Sequence, residues 1–269
     1  MFVFSGKYII TANKVCIITQ NSKLSLRREN YPNRKEVLYM LISGMQKLTL
    51  LDFPGKTAAT IFTLGCNLRC PFCHNALLVT DIRDADIIPE DEVLSYLKKR
   101  AGILDGVCIT GGEPCLQPDL PDFIRKIKEL GLSVKLDTNG TRPDVLRALV
   151  KDGLLDYVAM DIKNSREKYA EAAGILDFDI TPVEESVAFL LESHVDYEFR
   201  TTVVRELHTV EDIGKIGEWI SGAPRYFLQN FVDSGNLIGE NLSAHDSKTL
   251  DSMRVCAEKF VDFVSLRGI

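Results

Sequence analysis

From residue 58 onward, short apolar runs alternate with amphipathic stretches. Ala58–Leu64, Gly106–Thr110, Ser133–Leu136, Tyr157–Met160, Asp196–Val204 and Tyr226–Phe231 are compact and rich in β-branched or apolar residues. That is the pattern of strands buried on both faces in a parallel sheet. The stretches between them carry helical spacing. Pro89-Glu90-Asp91-Glu92 puts acids in a first turn, followed by Val93, Tyr96 and Leu97 at i, i+3, i+4. Leu120–Leu130 stops at Gly131, and Pro143–Lys151 begins on proline and ends before Gly153. Pro182–Glu192, Thr209–Ile220 and Ser247–Phe260 complete the helices, with Trp219 assigned to the core. A strand over Lys47–Asp52, closed by Phe53-Pro54-Gly55, and a last strand over Phe263–Leu266 flank the series. Such alternation predicts an α/β fold with helices outside a parallel sheet.

The polar clusters fall in one kind of place. Gly65-Cys66, Gly111-Gly112-Glu113-Pro114, Asp137-Thr138-Asn139-Gly140 and Asp161-Ile162-Lys163 each follow the C-terminal end of an expected strand. In parallel α/β sheets and barrels that is the end where sites are built.

Residues 1–39 read differently. They hold seven basic residues (Lys7, Lys14, Lys23, Arg27, Arg28, Arg34, Lys35) against Glu29 and Glu36. Asn21 to Lys35 reads as a polar linker, and Met40 and Met45 are candidate starts. The expected organisation is an amino-terminal appendage over 1–39, poorly ordered or a misassigned start, and one domain over 40–269.

Composition narrows the classes. Of 269 residues, 45% are hydrophobic and 26% charged, with a net charge of −6. The balance argues against a nucleic-acid-coating role, and no apolar run approaches the roughly 18 residues of a membrane span. Seven cysteines, three of them clustered, fit a reducing cytoplasm.

That cluster is Cys66-Asn67-Leu68-Arg69-Cys70-Pro71-Phe72-Cys73. Three thiolates at i, i+4 and i+7 cannot form a closed disulfide set and can converge on one soft metal centre. With three local ligands, a four-iron cluster would keep one iron open for chemistry. A structural zinc site of Cys66, Cys70, Cys73 and His74 is the competing reading, hampered by the adjacency of Cys73 and His74.

The spacing Cys-x-x-x-Cys-x-x-Cys, with Phe72 before the last cysteine, resembles the signature of the radical S-adenosylmethionine superfamily. The resemblance implies a partial open (β/α)6 barrel. It also implies a 4Fe–4S cluster on Cys66, Cys70 and Cys73, and S-adenosylmethionine chelated to the open iron and cleaved to a 5′-deoxyadenosyl radical. Phe72 and His74 would lie next to these groups. Gly111, Gly112 and Glu113 resemble the segment that binds the methionine amino group. Asp137, Thr138 and Asn139, and Asp161, Ile162 and Lys163, resemble cofactor-lining segments of the glycyl-radical-activating branch, where the lysine meets the cofactor's carboxylate or ribose. Arg200 is open between an ion pair with Asp161 or Glu198 and a second carboxylate clamp. Asp52-Phe53-Pro54-Gly55 resembles the loop before the cluster in that branch; Asp52 either faces a protein substrate or caps a turn.

Met45 to Val79 most resembles the activating proteins of anaerobic ribonucleoside-triphosphate reductases. The implied partners are a glycyl radical enzyme, that reductase foremost, and a flavodoxin- or ferredoxin-type electron donor, without nucleic acid or membrane. One departure stands out. Pyruvate formate-lyase activators in that branch carry a cofactor-binding histidine on the late strand; Leu228-Gln229-Asn230-Phe231 has none, so that contact is lost or moves to Gln229 or Asn230. His194, His208 and His245 have no partner identifiable from sequence, and Cys108, Cys115 and Cys256 are not spaced for a second cluster. The rival functions are a radical enzyme acting on a small molecule, similar to 7-carboxy-7-deazaguanine synthase, and a non-enzymatic iron–sulfur or zinc protein.

Overall fold

The computed structural model describes residues 40–80, 82 and 85–268, together with the backbone of three short strands near the amino terminus. Those strands, β1 (Val3–Phe4), β2 (Tyr8–Thr11) and β3 (Lys14–Ile17), form an antiparallel sheet of their own in the order β1-β2-β3. The linker expected over 21–35 lies outside the described residues.

The main sheet has eight strands in the order β11-β10-β9-β8-β7-β6-β5-β4. They are β4 (Ile42–Thr49), β5 (Ala58–Thr63), β6 (Gly106–Gly111), β7 (Ser133–Thr138), β8 (Tyr157–Asp161), β9 (Asp196–Val203), β10 (Tyr226–Asn230) and β11 (Val264–Arg267). The edge strand β4 is antiparallel to β5, whereas β5–β6, β7–β8, β8–β9, β9–β10 and β10–β11 are parallel pairs. The sheet does not close on itself, as an open (β/α) barrel requires. Its six inner strands are the six expected.

Helices connect the strands: α1 (Leu77–Thr80), α2 (Glu90–Arg100), α3 (Leu120–Glu129), α4 (Pro143–Lys151), α5 (Tyr169–Ala173), α6 (Thr181–Leu191), α7 (Val210–Trp219) and α8 (Ser247–Ala257). Local signals set their ends. Pro143 opens α4 in the first turn, where its missing N–H costs nothing. Thr209 and Asp212 form a reciprocal capping box that starts α7. The core is apolar side chains between sheet and helices. β5 is buried along its whole length, and Phe123, Ile124 and Ile127 of α3 are inaccessible.

One expectation is corrected. The first strand occupies 42–49, not 47–52, because it must pair along β5, from Ile42↔Thr63 to Thr49↔Ala58. Leu50 and Leu51 then fall in an exposed turn. The short helices α1 and α5 went unanticipated.

By contacts the chain divides into two compact units, Met1–Cys66 with Asn75–Val134, and Asn67–His74 with Lys135–Ile269. The cysteine loop passes from the first unit into the second, and each is described on its own below.

Candidate active site

In the first unit, β5 and β6 run in register, Thr63 opposite Gly111. The chain leaving β5 toward Cys66 therefore emerges beside Gly111-Gly112-Glu113. The two glycines serve that approach. The Gly112 N–H donates to Thr63 O at 2.8 Å, and the Glu113 N–H to Gly65 O at 2.7 Å. A Cβ at Gly112 would lie 1.9 Å from Gly65 O, and one at Gly111 2.3 Å from Thr63 N, with φ at +122°. Glu113 is buried, and its carboxylate accepts from the Cys115 N–H at 3.0 Å, capping a short turn. Asn75 Nδ2 donates to Gly111 O, and the Gly65 N–H to Leu78 O. Asp52 braces its own turn by accepting from Thr60 Oγ1 at 2.6 Å, which gives it a local role there.

In the second unit the cysteine loop is fastened at successive residues. Asn67 Oδ1 accepts from Asn139 Nδ2 at 3.0 Å, and Asn67 Nδ2 donates to Thr141 Oγ1 at 2.8 Å. Asn139 Oδ1 also accepts from the Thr141 N–H and hydroxyl, while Thr138 Oγ1 accepts from the Gly140 N–H. The Arg69 N–H donates to Ala173 O, at the end of α5. Pro71 O accepts from the Gly239 N–H, and Phe72 meets His208 edge-on at 6.1 Å. His74 stacks on Phe231 at 6.0 Å and places Nε2 2.8 Å from Val232 O. His74 thereby ties the loop to the segment after β10.

Charged side chains form a run of ion pairs across β7, β8 and β9. Lys135, buried, pairs with Asp137; Asp137 pairs with Arg200 at 3.2 Å; Arg200 bonds Asp161 at 2.9 Å; Asp161 holds Lys163 at 3.0 Å. Arg200 is thus an ion-pair residue toward Asp161 and Asp137. Glu198 is engaged instead by Arg267 and by the Tyr157 hydroxyl. Lys135 went unnoticed in the sequence, because a strand lysine ordinarily reads as exposed. Burial opposes the charge on Lys163, but Asp161 and the neighbouring Cys70 thiolate outweigh it and raise its pKa, so it stays an ammonium.

His208 also has a place that sequence did not reveal. Its Nδ1 accepts from the Val204 N–H at 3.1 Å, which leaves Nε2 to donate to Lys163 O at 2.8 Å. Burial lowers its pKa, in keeping with this neutral tautomer. Ile162 is fixed by its N–H to Arg200 O and its carbonyl to Thr201 Oγ1. The segment that presents Lys163 is therefore held on both sides. Asn230 exchanges hydrogen bonds with the backbone of His245, next to the strand that lacks the expected histidine.

Cys70 is buried, Cys66 and Cys73 are half-buried, and all three are reduced. Among the described residues no three His, Cys, Asp or Glu side chains stand close enough to share one metal ion. A zinc ion needs all its ligands at about 2.0–2.3 Å, whereas in a 4Fe–4S cluster each thiolate binds its own iron. His74 is turned to Val232, and the three thiols match in number and kind the thiolates that such a cluster would take.

The profile of the Radical SAM superfamily matches residues 60–220. The chain belongs to the radical SAM superfamily. Its relatives include a protein of Methanocaldococcus jannaschii named "Putative glycyl-radical enzyme activating enzyme", 32% identical over 85% of this chain and 96% of that one. A 7-carboxy-7-deazaguanine synthase of Methanopyrus kandleri is 35% identical over 41% of this chain and 51% of its own. Among solved structures, SuiB of Streptococcus suis bound to S-adenosylmethionine superposes with a TM-score of 0.60 at 15% identity, covering 76% of this chain and 47% of that one; it shares the fold. The cofactors of this radical SAM enzyme are those of its superfamily, a 4Fe–4S cluster and S-adenosylmethionine. No helix among the described residues is long and apolar enough to cross a membrane.

Proposed function

We propose that this radical SAM enzyme activates a glycyl radical enzyme, the anaerobic ribonucleotide reductase, by abstracting hydrogen from a backbone glycine. The observation that carries the reading is the nearly full-length similarity to the M. jannaschii protein and the activating function in its name. The resemblance of Met45 to Val79 to reductase-activating proteins supports the choice of partner. A flavodoxin- or ferredoxin-type donor would reduce the enzyme.

Cys66, Cys70 and Cys73 would hold the cluster, which when bound supplies the low-potential electron for cleaving S-adenosylmethionine. The chain's own residues do the rest. Gly111 and Gly112 let the β6 end pack against Thr63 and Gly65, which fixes where Cys66 leaves the sheet. Lys163 would meet the cofactor's carboxylate, because an ammonium opposite a carboxylate forms a charge-assisted bond. Asp161 steers that ammonium and is itself held by Arg200, so the cation has a defined position before any ligand arrives. Asn139 would set the cysteine loop through Asn67. A glycine is a fitting target, since it has no side chain to shield its Cα–H.

The similarity to 7-carboxy-7-deazaguanine synthase favours a second reading, a small purine-like substrate, over less than half of the chain. The test mixes reduced, cluster-loaded protein with S-adenosylmethionine and the reductase without oxygen. A glycyl doublet in the electron paramagnetic resonance spectrum is expected. Its absence, with turnover of a deazapurine precursor instead, would replace the proposal by the second reading.

A further inference from the structure

The turn that follows β9, Val204 to His208, is bonded in both directions to the segment that follows β8. Two buried side chains make the links. Asn164 Nδ2 donates to Leu207 O at 2.9 Å, and His208 Nε2 donates back to Lys163 O at 2.8 Å. The donor role of Nε2 is dictated by the other nitrogen. Nδ1 lies 3.1 Å from the Val204 N–H, which can only donate, so the single proton of the neutral ring sits on Nε2. One residue earlier, Ile162 O accepts from Thr201 Oγ1 at 2.8 Å, and that hydroxyl accepts from the Tyr226 hydroxyl at 2.7 Å. Two consecutive carbonyls are thus pinned by β9 and the turn after it. Lys163 is anchored at both ends, its carbonyl by His208 and its ammonium by Asp161 at 3.0 Å. A long side chain held at one end alone keeps rotamer freedom that a ligand must remove on binding. The His208 ring also meets Phe72 edge-on, so the same imidazole touches the loop that carries Cys70 and Cys73.

We propose that His208 is a positioning residue for S-adenosylmethionine: through the Lys163 carbonyl it fixes the lysine whose ammonium meets the cofactor's carboxylate. The inference rests on the reading of Lys163 given above and extends it to a residue that acts only through that lysine. The competing role for the imidazole is local, since by accepting from the Val204 N–H it closes its own turn. Side-chain length separates the two roles. Asparagine puts an amide oxygen where Nδ1 stands and ends short of Nε2. Glutamine carries an acceptor and a donor out to the reach of Nε2.

The experiment measures S-adenosylmethionine affinity by anaerobic equilibrium titration of the cluster-loaded protein, with iron content and melting temperature beside it. His208→Asn should keep its iron and weaken affinity about tenfold, the change expected for one charge-assisted bond. His208→Gln, which can remake the bond to Lys163 O, should restore most of that loss. The decisive arm repeats His208→Asn in a Lys163→Ala background. With the ammonium gone, affinity should fall no further, because residues that act through one contact are not additive. An undiminished second loss would show a general structural role and overturn the proposal. Wild-type affinity in His208→Asn, with Lys163→Ala impaired, would overturn it as well. Wild-type affinity in Lys163→Ala itself would sink the reading of Lys163, a failure distinct from the other two. Nitrogen NMR of the imidazole in the wild type needs no variant to fold. It should show a protonated Nε2 beside a bare Nδ1, and a proton on Nδ1 instead would abolish the bond to Lys163 O and the proposal with it.

Discussion

Substituting Gly112 by alanine separates two meanings of a glycine pair. If the pair serves only to admit a ligand, a methyl group should impair binding and spare folding. The structure says otherwise, because the added Cβ would lie 1.9 Å from Gly65 O and 2.5 Å from Gly65 C, both backbone atoms. No side chain can rotate away, so the β6 end must withdraw from the β5 end by more than 1 Å, roughly the shortfall from ordinary van der Waals contact. That withdrawal breaks the Gly112-to-Thr63 and Glu113-to-Gly65 hydrogen bonds, at 2.8 and 2.7 Å. Two bonds at about 1 kcal/mol each, with further cost if their groups stay buried and unsatisfied, give a loss of about 2–5 kcal/mol. Urea unfolding of the cluster-free protein measures it, and anaerobic reconstitution measures iron uptake. Stability should fall by that amount, and uptake should fall with it, because Gly65 sets the direction of Cys66. A Gly112→Ala protein with wild-type stability and full iron content would refute the reasoning.

Three other outcomes are expected. Arg267→Ala strips the two-pronged partner from Glu198, which is 1% exposed, and removes a guanidinium lying 3.4 Å over Phe227. It should cost about 2–4 kcal/mol in urea unfolding, less than a fully buried pair because Arg267 is partly exposed, and a loss under about 0.5 kcal/mol would contradict this. Lys163→Ala should weaken S-adenosylmethionine binding about tenfold or more, the value of a hydrogen bond to a charged group, with iron content intact; equal affinity in anaerobic titration would place the lysine elsewhere. Asp212 is pushed up by burial but pulled further down by Lys168 and Thr209, so its folded pKa lies below the unfolded 3.8. Its contribution is fully present above pH 3.8 and is lost as pH falls through the folded value, so Asp212→Asn should flatten acid unfolding in that window; identical acid profiles would count against it.

The alternation of strands and helices was legible because parallel strands buried on both faces are nearly pure apolar runs, as β5 and β6 are. Prolines and glycines marked helix ends, as Pro143 does at the start of α4 and Gly131 just past the end of α3. The β4 register was not legible. An edge strand with irregular pairing carries a weak alternation, and its position is dictated by its partner. The positions of Cys66, Cys70, Cys73 and Lys163 at strand ends could be read, since chemistry-bearing residues after apolar runs are conspicuous. Their supports could not. Lys135 and His208 look like an exposed lysine and a loop histidine. Only long-range contacts, such as His208 to the Lys163 carbonyl, show what they hold. Arg200 was ambiguous for the same reason. Asp161 faces it across the β8–β9 pair, while Glu198, nearer in sequence, bonds Arg267 and Tyr157 instead.

The central claim is that hydrogen is taken from a glycine of a partner protein. The most direct test is the ratio of products when reduced protein, S-adenosylmethionine and anaerobic ribonucleotide reductase are mixed without oxygen. The account predicts one 5′-deoxyadenosine released for each glycyl radical counted by electron paramagnetic resonance, and no radical when the target glycine is replaced by alanine. Cofactor cleavage that continues without any glycyl radical, and that a small purine-like metabolite accelerates, would contradict it.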